Sequence, residues 1–265
     1  MDRIVFLGTS RCVPTKYRDN TSILFESEND SFLVDCNGKP YQKLLQCNAK
    51  LDCLNSILIS HYHVDHSYGL PSLLSSLHLT GREKPLNILG LPVVIKKLLQ
   101  LMDVFDFPRA WEKVIKLYPI KFSKVSGSFN ETVYDGPGLK VFSCKNSHLI
   151  DNLSVKVQYK DADKYAVYTS DTGSPNENII KLSRDADYLI HEVNNLSEMT
   201  VEAVKNGHST AVQAGDTART TNIEKLFLVH HGLDDPADID KMKKEVGAGN
   251  FEIHIPDDME EYIIK

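Results

Sequence analysis

The six residues His61-Tyr62-His63-Val64-Asp65-His66 constrain this chain more than any other segment. They follow directly on the apolar run Ile57-Leu58-Ile59-Ser60, so a strand end delivers three imidazoles and a carboxylate into one small volume. Crowded imidazoles repel one another once protonated, whereas neutral nitrogens beside a carboxylate oxygen are a donor set suited to zinc or manganese. The run therefore reads as a metal site rather than as a solvated turn. A site of this kind needs a sheet behind it.

The rest of the sequence supplies one. Short apolar runs predict strands over 3–7, 22–26, 31–35, 55–60, 85–89, 139–144, 153–159, 165–169, 188–190 and 225–229. Helical periodicity appears over 39–48, 68–79, 92–104, 177–182, 210–220 and 236–246, several with Pro near the start. Strands come first as hairpins and then alternate with helices, which predicts an α/β (α+β) fold. With 265 residues, 42% of them hydrophobic, and no repeat or polar linker, the expectation is a single domain over 1–265 with a large core. Five scattered cysteines (Cys12, Cys36, Cys47, Cys53, Cys144) form no C-x-x-C pair, so they are expected to be reduced. No apolar stretch is long enough to cross a bilayer and no signal-peptide pattern opens the chain, so no membrane role and a cytoplasmic location are expected. The formal charge of −6 gives no general attraction for a phosphate polymer, but it leaves room for a small anion held by a bound cation.

The H-x-H-x-D-H run resembles the metallo-β-lactamase superfamily, and within it the ribonuclease Z-like subgroup is the closer likeness. Phe6-Leu7-Gly8-Thr9-Ser10 with Pro14, Arg18 and Asn20 is similar to the opening segment of that subgroup, and Asp35 to its early strand-end aspartate. His191-Glu192-Val193 and Gly207-His208-Ser209-Thr210-Ala211 are similar to two further signatures. The resemblance implies an αββα sandwich with a two-metal hydrolytic site at one edge of the sheets. It also implies single ligands at later strand ends: His148 after Cys144, Asp171 after Ser170 and His230 after Val229. On that pattern His61, His63 and His148 hold one cation, Asp65, His66 and His230 the other, and Asp171 bridges them. The implied cofactors are two divalent ions, zinc first and manganese second. Catalysis would fall to Asp65 and His208, with Glu192 orienting His208 so that it protonates a departing ribose oxygen.

Alternatives remain open at this level. His208 could merely cap the helix beginning near Thr210. Adjacent strand residues face opposite sides, so His231 competes with His230, although the 22-residue spacing from His208 to His230 follows the family pattern. His191 reads as structural, and His78 and His254 as ordinary packed or surface residues.

Ribonuclease Z proper carries a long basic arm between its single histidine ligand and the bridging aspartate. Here the interval from His148 to Asp171 is 23 residues, most of them predicted strand around a turn holding Asp161 and Asp163. With the arm absent, tRNA is not the expected partner. The resemblance then points to the anti-Pycsar cyclic-nucleotide phosphodiesterases of phages and bacteria. It implies hydrolysis of 3′,5′-cyclic mononucleotides (cCMP, cUMP, cAMP, cGMP) to linear monophosphates, in the host cytoplasm if phage-encoded, against cyclic-nucleotide antiviral signalling. The alternative is a ribonuclease Z-type tRNA 3′ endonuclease gripping RNA through the basic segment 96–124, where Phe105, Phe107, Trp111 and Tyr118 interleave with lysines and Arg109. That segment also reads as an amphipathic helix with a solvated basic face. A non-enzymatic nucleotide scaffold is the third class. Relatives imply a homodimer, with 68–79 a contributor unless Leu70, Leu73, Leu74 and Leu77 are simply core.

Overall fold

The computed structural model describes residues 1–107 and 118–265; the part of the basic aromatic segment that holds Arg109 and Trp111 lies outside them. In chain order the strands are β1 (Arg3–Gly8), β2 (Ser22–Ser27), β3 (Asp30–Val34), β4 (Leu54–Leu58), β5 (Leu86–Gly90), β6 (Ile120–Lys124), β7 (Glu131–Asp135), β8 (Leu139–Lys145), β9 (Leu153–Tyr159), β10 (Lys164–Tyr168), β11 (Tyr188–Glu192), β12 (Lys225–Val229), β13 (Glu252–His254) and β14 (Glu260–Ile263). Among the described residues they make two seven-stranded sheets, ordered β14-β1-β2-β3-β4-β5-β6 and β13-β12-β11-β10-β9-β8-β7.

Both sheets follow one plan. Each begins as antiparallel neighbours, β1/β2/β3 in the first and β7/β8/β9/β10 in the second. Each then continues in parallel, through β4, β5 and β6 or through β11, β12 and β13. Parallel neighbours cannot be joined by a tight turn, so the chain returns through helices: Pro40–Gln46 and Leu70–Leu79 serve the first sheet, and Glu177–Ser183, Ala211–Arg219 and Pro236–Val246 the second. In each sheet the parallel strands deliver their carboxyl ends to a common edge, where open α/β sheets place their ligands.

The two sheets face each other across an apolar layer. Phe6 of β1 and Phe227 of β12 meet with ring centroids 5.1 Å apart, and Phe25, Phe32, Tyr159 and Tyr168 are fully buried with them. Burying each such ring stabilises the fold by roughly 1.5–3 kcal/mol. Tyr159 keeps its hydroxyl satisfied by donating to the Arg3 carbonyl at 2.8 Å, so a polar tip tolerates the interior. A second apolar cluster joins the outer face of β11 and β12 to the helices, through Leu189, Leu226 and Leu228 against Ala211, Ala214, Ala218 and Met242.

Of the two readings of 68–79, the core one describes Leu70, Leu73, Leu74 and Leu77, which are all buried, while Tyr68 and Leu79 are its exposed apolar side chains. Strands β6, β7, β13 and β14, which the apolar pattern missed, are the four sheet edges. An edge strand is covered on fewer sides, so β6 and β7 bury only part of alternate side chains and carry no continuous apolar run. No helix among the described residues is long and apolar enough to cross a membrane.

Candidate active site

Five strands end at one place and bring the candidate residues together. His61 follows β4 after two residues; His63 precedes the short helix Val64–Ser67, which carries Asp65 and His66. His148 follows β8, Asp171 follows β10, Glu192 closes β11, and His230 follows β12. His208 stands in the loop between the helices Thr200–Lys205 and Ala211–Arg219. Three backbones here adopt the left-handed region without being glycine: Asp35 (φ 63°), Ser170 (φ 51°) and His230 (φ 61°). Such residues persist only where their surroundings over-determine them, and they gather at functional sites.

Three groups of donor atoms result, each with its atoms within 4.8 Å of one another: His61, His63, His148 and Asp171; Asp65, His66 and His230; and, overlapping these, Asp171, His208 and His230. Asp171 reaches toward both of the first two. Its Oδ2 lies 3.7 Å from His61 Nε2 and 3.4 Å from His66 Nε2, while its Oδ1 lies 3.2 Å from His230 Nε2.

The imidazole tautomers are set from behind. Ser60 Oγ donates to Asp35 Oδ2 at 3.0 Å, so its 3.0 Å contact with His61 is one in which His61 Nδ1 donates. His66 Nδ1 donates to the same Asp35 oxygen at 2.7 Å, and His148 Nδ1 to the Gly207 carbonyl at 2.8 Å. All three rings thus keep the Nε2 lone pair for the interior of the site. Gly207 can offer that carbonyl because it turns at φ +67°, and a Cβ there would stand 2.9 Å from the Leu149 nitrogen.

Electrostatics agree with the geometry. Burial, with the charge of neighbouring histidines, holds His61 well below the ordinary imidazole pKa, and burial lowers His63 and His148 also. These rings are neutral and able to ligate. Burial alone would raise Asp171, but His230 and His66 outweigh it and keep the carboxylate ionised. Burial would likewise lower His66, yet Asp171 and Asp35 attract positive charge to that position. His66 Nε2, His230 Nε2 and Asp171 Oδ1 are buried with no hydrogen-bond partner. Orphaned polar atoms of this kind are costly unless something binds them, and convergent lone pairs beside carboxylates fit divalent cations.

His208 lies beside this centre, its ring 5.0 Å from that of His148 and 5.4 Å from that of His230. Its Nδ1 donates to Glu192 Oε1 at 3.0 Å, and the same oxygen accepts from the Thr172 and Ser209 amides at 3.0 and 3.1 Å. Burial lowers the His208 pKa, but the Glu192 charge and hydrogen bond prevail and push it up to about 9. The capping alternative is settled by Thr210, which caps Ala211–Arg219 in a reciprocal box with Gln213.

His230 and His231 also separate. His230 faces the centre, whereas His231 Nδ1 accepts from the Leu233 amide at 3.3 Å; burial and the charges of Arg18, His230 and Arg11 push the His231 pKa down to about 3. His191 is buried with Nδ1 on the Glu192 carbonyl, and His254 pairs with Glu260. Sequence reasoning missed Arg11. It shares with Cys12, Val13, His63, His148, Leu149, Asn194, Asn206 and His208 the wall of a crevice of about 280 Å³, and no motif marks it.

Comparison with known proteins agrees with this picture. The chain is 27% identical to a ribonuclease Z from Methanosarcina mazei over 268 residues, covering 87% of each. Its structure is similar to that of the metallo-β-lactamase fold protein YhfI from Bacillus subtilis (TM-score 0.79, 21% identity, 98% of each chain). It is also similar to the short form of human tRNase Z (TM-score 0.77, 21% identity, 99% of each chain). Sheets, helices and donor clusters define a protein of the metallo-β-lactamase fold whose relatives are hydrolases. The family profile described as "Anti-Pycsar protein Apyc1" matches residues 2–246, and the chain belongs to that family.

Proposed function

We propose that this protein is a dinuclear metal phosphodiesterase that opens 3′,5′-cyclic mononucleotides to linear monophosphates. The observation that carries the reading is the joining of a His208–Glu192 pair to the donor clusters beside a small crevice that His63, His148 and His208 line. Its volume of about 280 Å³ sits near the lower end of the roughly 300–1,000 Å³ usual for small-molecule sites. Between His148 and Asp171 the chain forms only the β9–β10 hairpin and its flanking loops, with no extension that could track RNA.

The chemistry that divalent cations supply when bound here is Lewis-acid polarisation of the phosphodiester and activation of water at neutral pH. His61, His63 and His148 would hold one ion and Asp65, His66 and His230 the other, with Asp171 between them; the donors suit zinc, then manganese. Asp35 and Gly207 keep the imidazoles aimed. Asp65 stays ionised because His230 and His66, whose Nε2 atoms lie 3.7 and 3.3 Å from its Oδ2, outweigh its burial, which leaves it able to orient the attacking water. His208 donates a proton from Nε2 to the departing ribose oxygen, while Glu192 stabilises the imidazolium. Membership of the anti-Pycsar family supports a role in removing a cyclic-nucleotide signal; action in the host cytoplasm is part of the same proposal.

Turnover of cyclic CMP, UMP, AMP and GMP, followed as linear monophosphate, is expected with metal and abolished by chelator. Absence of product from all four sinks the proposal. The resemblance to ribonuclease Z favours a second reading, precursor-tRNA cleavage; rates on such a substrate comparable with those on cyclic nucleotides would establish it instead. A homodimer belongs to the same proposal. Val13 and Leu149, 67% and 62% exposed at the crevice rim, are apolar side chains a second copy would cover. Light scattering after size exclusion should give twice the 29.9 kDa chain mass, and a monomer at micromolar concentration counts against it.

A further inference from the structure

Arg11 stands on the loop between β1 and β2, and that loop is held in place: Asn20 Nδ2 donates to the Arg11 carbonyl at 2.6 Å and to the Cys12 carbonyl at 3.2 Å. Among the described residues its guanidinium makes a single hydrogen bond, Nη1 to the Asn194 carbonyl at 3.4 Å. That is long for a charged donor. Among the described residues no carboxylate lies within ion-pairing distance of it, in contrast to Arg18, whose Nη2 reaches Asp257 Oδ1 at 2.5 Å.

The guanidinium also lies across a place made for it. A Cβ on Gly232 would stand 2.7 Å from Arg11 Nε and 3.3 Å from Cζ, so a side chain at 232 would displace the head group. Arg11 and Asn194 line both the crevice with His63, His148 and His208 and a neighbouring cavity of about 150 Å³ that runs on to Leu196, Met199 and Leu233. Arg11 thus stands at the junction of these two spaces, its guanidinium against Gly232 and the Asn194 carbonyl and, among the described residues, without a carboxylate partner.

We infer that Arg11 anchors the substrate, its guanidinium gripping the non-bridging oxygens of the phosphodiester while Gly232 leaves room for it. The assignment rests on the phosphodiesterase reading above. Arginine suits the task because its planar fork meets two phosphate oxygens at once, which a lysine ammonium cannot reproduce. A group that binds ground state and transition state alike acts on KM rather than on kcat.

The test uses the full-length, metal-loaded protein with cyclic CMP and with bis(p-nitrophenyl) phosphate, and compares wild type with Arg11→Met, Arg11→Lys and Gly232→Ala. Arg11→Met is expected to raise KM about tenfold or more on both substrates with little change in kcat, and to weaken competitive inhibition by inorganic phosphate by a similar factor. Arg11→Lys should fall between wild type and Arg11→Met. Gly232→Ala, which moves the guanidinium while keeping it, should also raise KM. Unchanged metal content and melting temperature separate this from a structural role. If wild type turns over these diesters and neither Arg11→Met nor Gly232→Ala raises KM or loosens phosphate, the Arg11 assignment is wrong and the phosphodiesterase reading stands. If wild type hydrolyses neither diester, that reading falls and the anchoring role with it.

Discussion

Asp171→Ala is expected to lose both metal and activity. The carboxylate is the one group whose two oxygens approach both donor clusters, Oδ1 at 3.2 Å from His230 Nε2 and Oδ2 at 3.4 and 3.7 Å from His66 and His61 Nε2. Alanine removes the negative charge that joins the clusters and leaves four buried histidines facing one another. Losing a group that merely orients a metal ligand lowers affinity by about 10- to 100-fold, and losing a shared ligand should do at least as much. Elemental analysis of the purified variant should show depleted metal, with no turnover on restoring wild-type metal concentrations. Wild-type stoichiometry in this variant would remove Asp171 from the bridging position.

His208→Ala should behave differently: full metal content, but turnover of cyclic nucleotides slowed by about 10²–10⁴. His208 stands edge-on to His148 and stacked on His230, near enough to Asp171 and His230 to share a donor group with them, but its Nδ1 is committed to Glu192 and the neighbouring helix is capped by Thr210, so its loss is expected to spare metal and fold. The loss should depend on the leaving group. A ribose oxygen needs a proton as it departs, whereas p-nitrophenolate does not, so bis(p-nitrophenyl) phosphate should be hydrolysed by His208→Ala at close to the wild-type rate. Equal slowing on both substrates would take the general-acid role away from His208, and depleted metal would place it among the ligands.

Particular residues show how far the sequence reaches. His61, His63, Asp65 and His66 are legible because six consecutive residues at a strand end must share a small volume whatever the rest of the chain does. Interior strands are legible for a similar reason: β12 is a nearly continuous apolar run buried on both faces, and β9 alternates apolar and polar residues with the period of two a strand requires. The edges β6, β7, β13 and β14 carry no comparable run, since a strand with one neighbour and an exposed face is defined by its pairing. His148, Asp171 and His230 stand far apart in the chain, and only their place in a recognised pattern marked them.

Local chemistry therefore determined, from sequence alone, that this chain gathers imidazoles and carboxylates at the end of an apolar strand and builds helices around parallel sheets. Tertiary structure decided the rest. A left-handed backbone at His230 turns it, and not His231, toward the centre. Glu192 claims His208 away from any capping role, the leucines of 70–79 go to the protomer core, and Arg11 reaches the crevice across Gly232. Each of these outcomes depends on a contact between segments distant in the chain, so its direction and its partner exist only once the two sheets have packed.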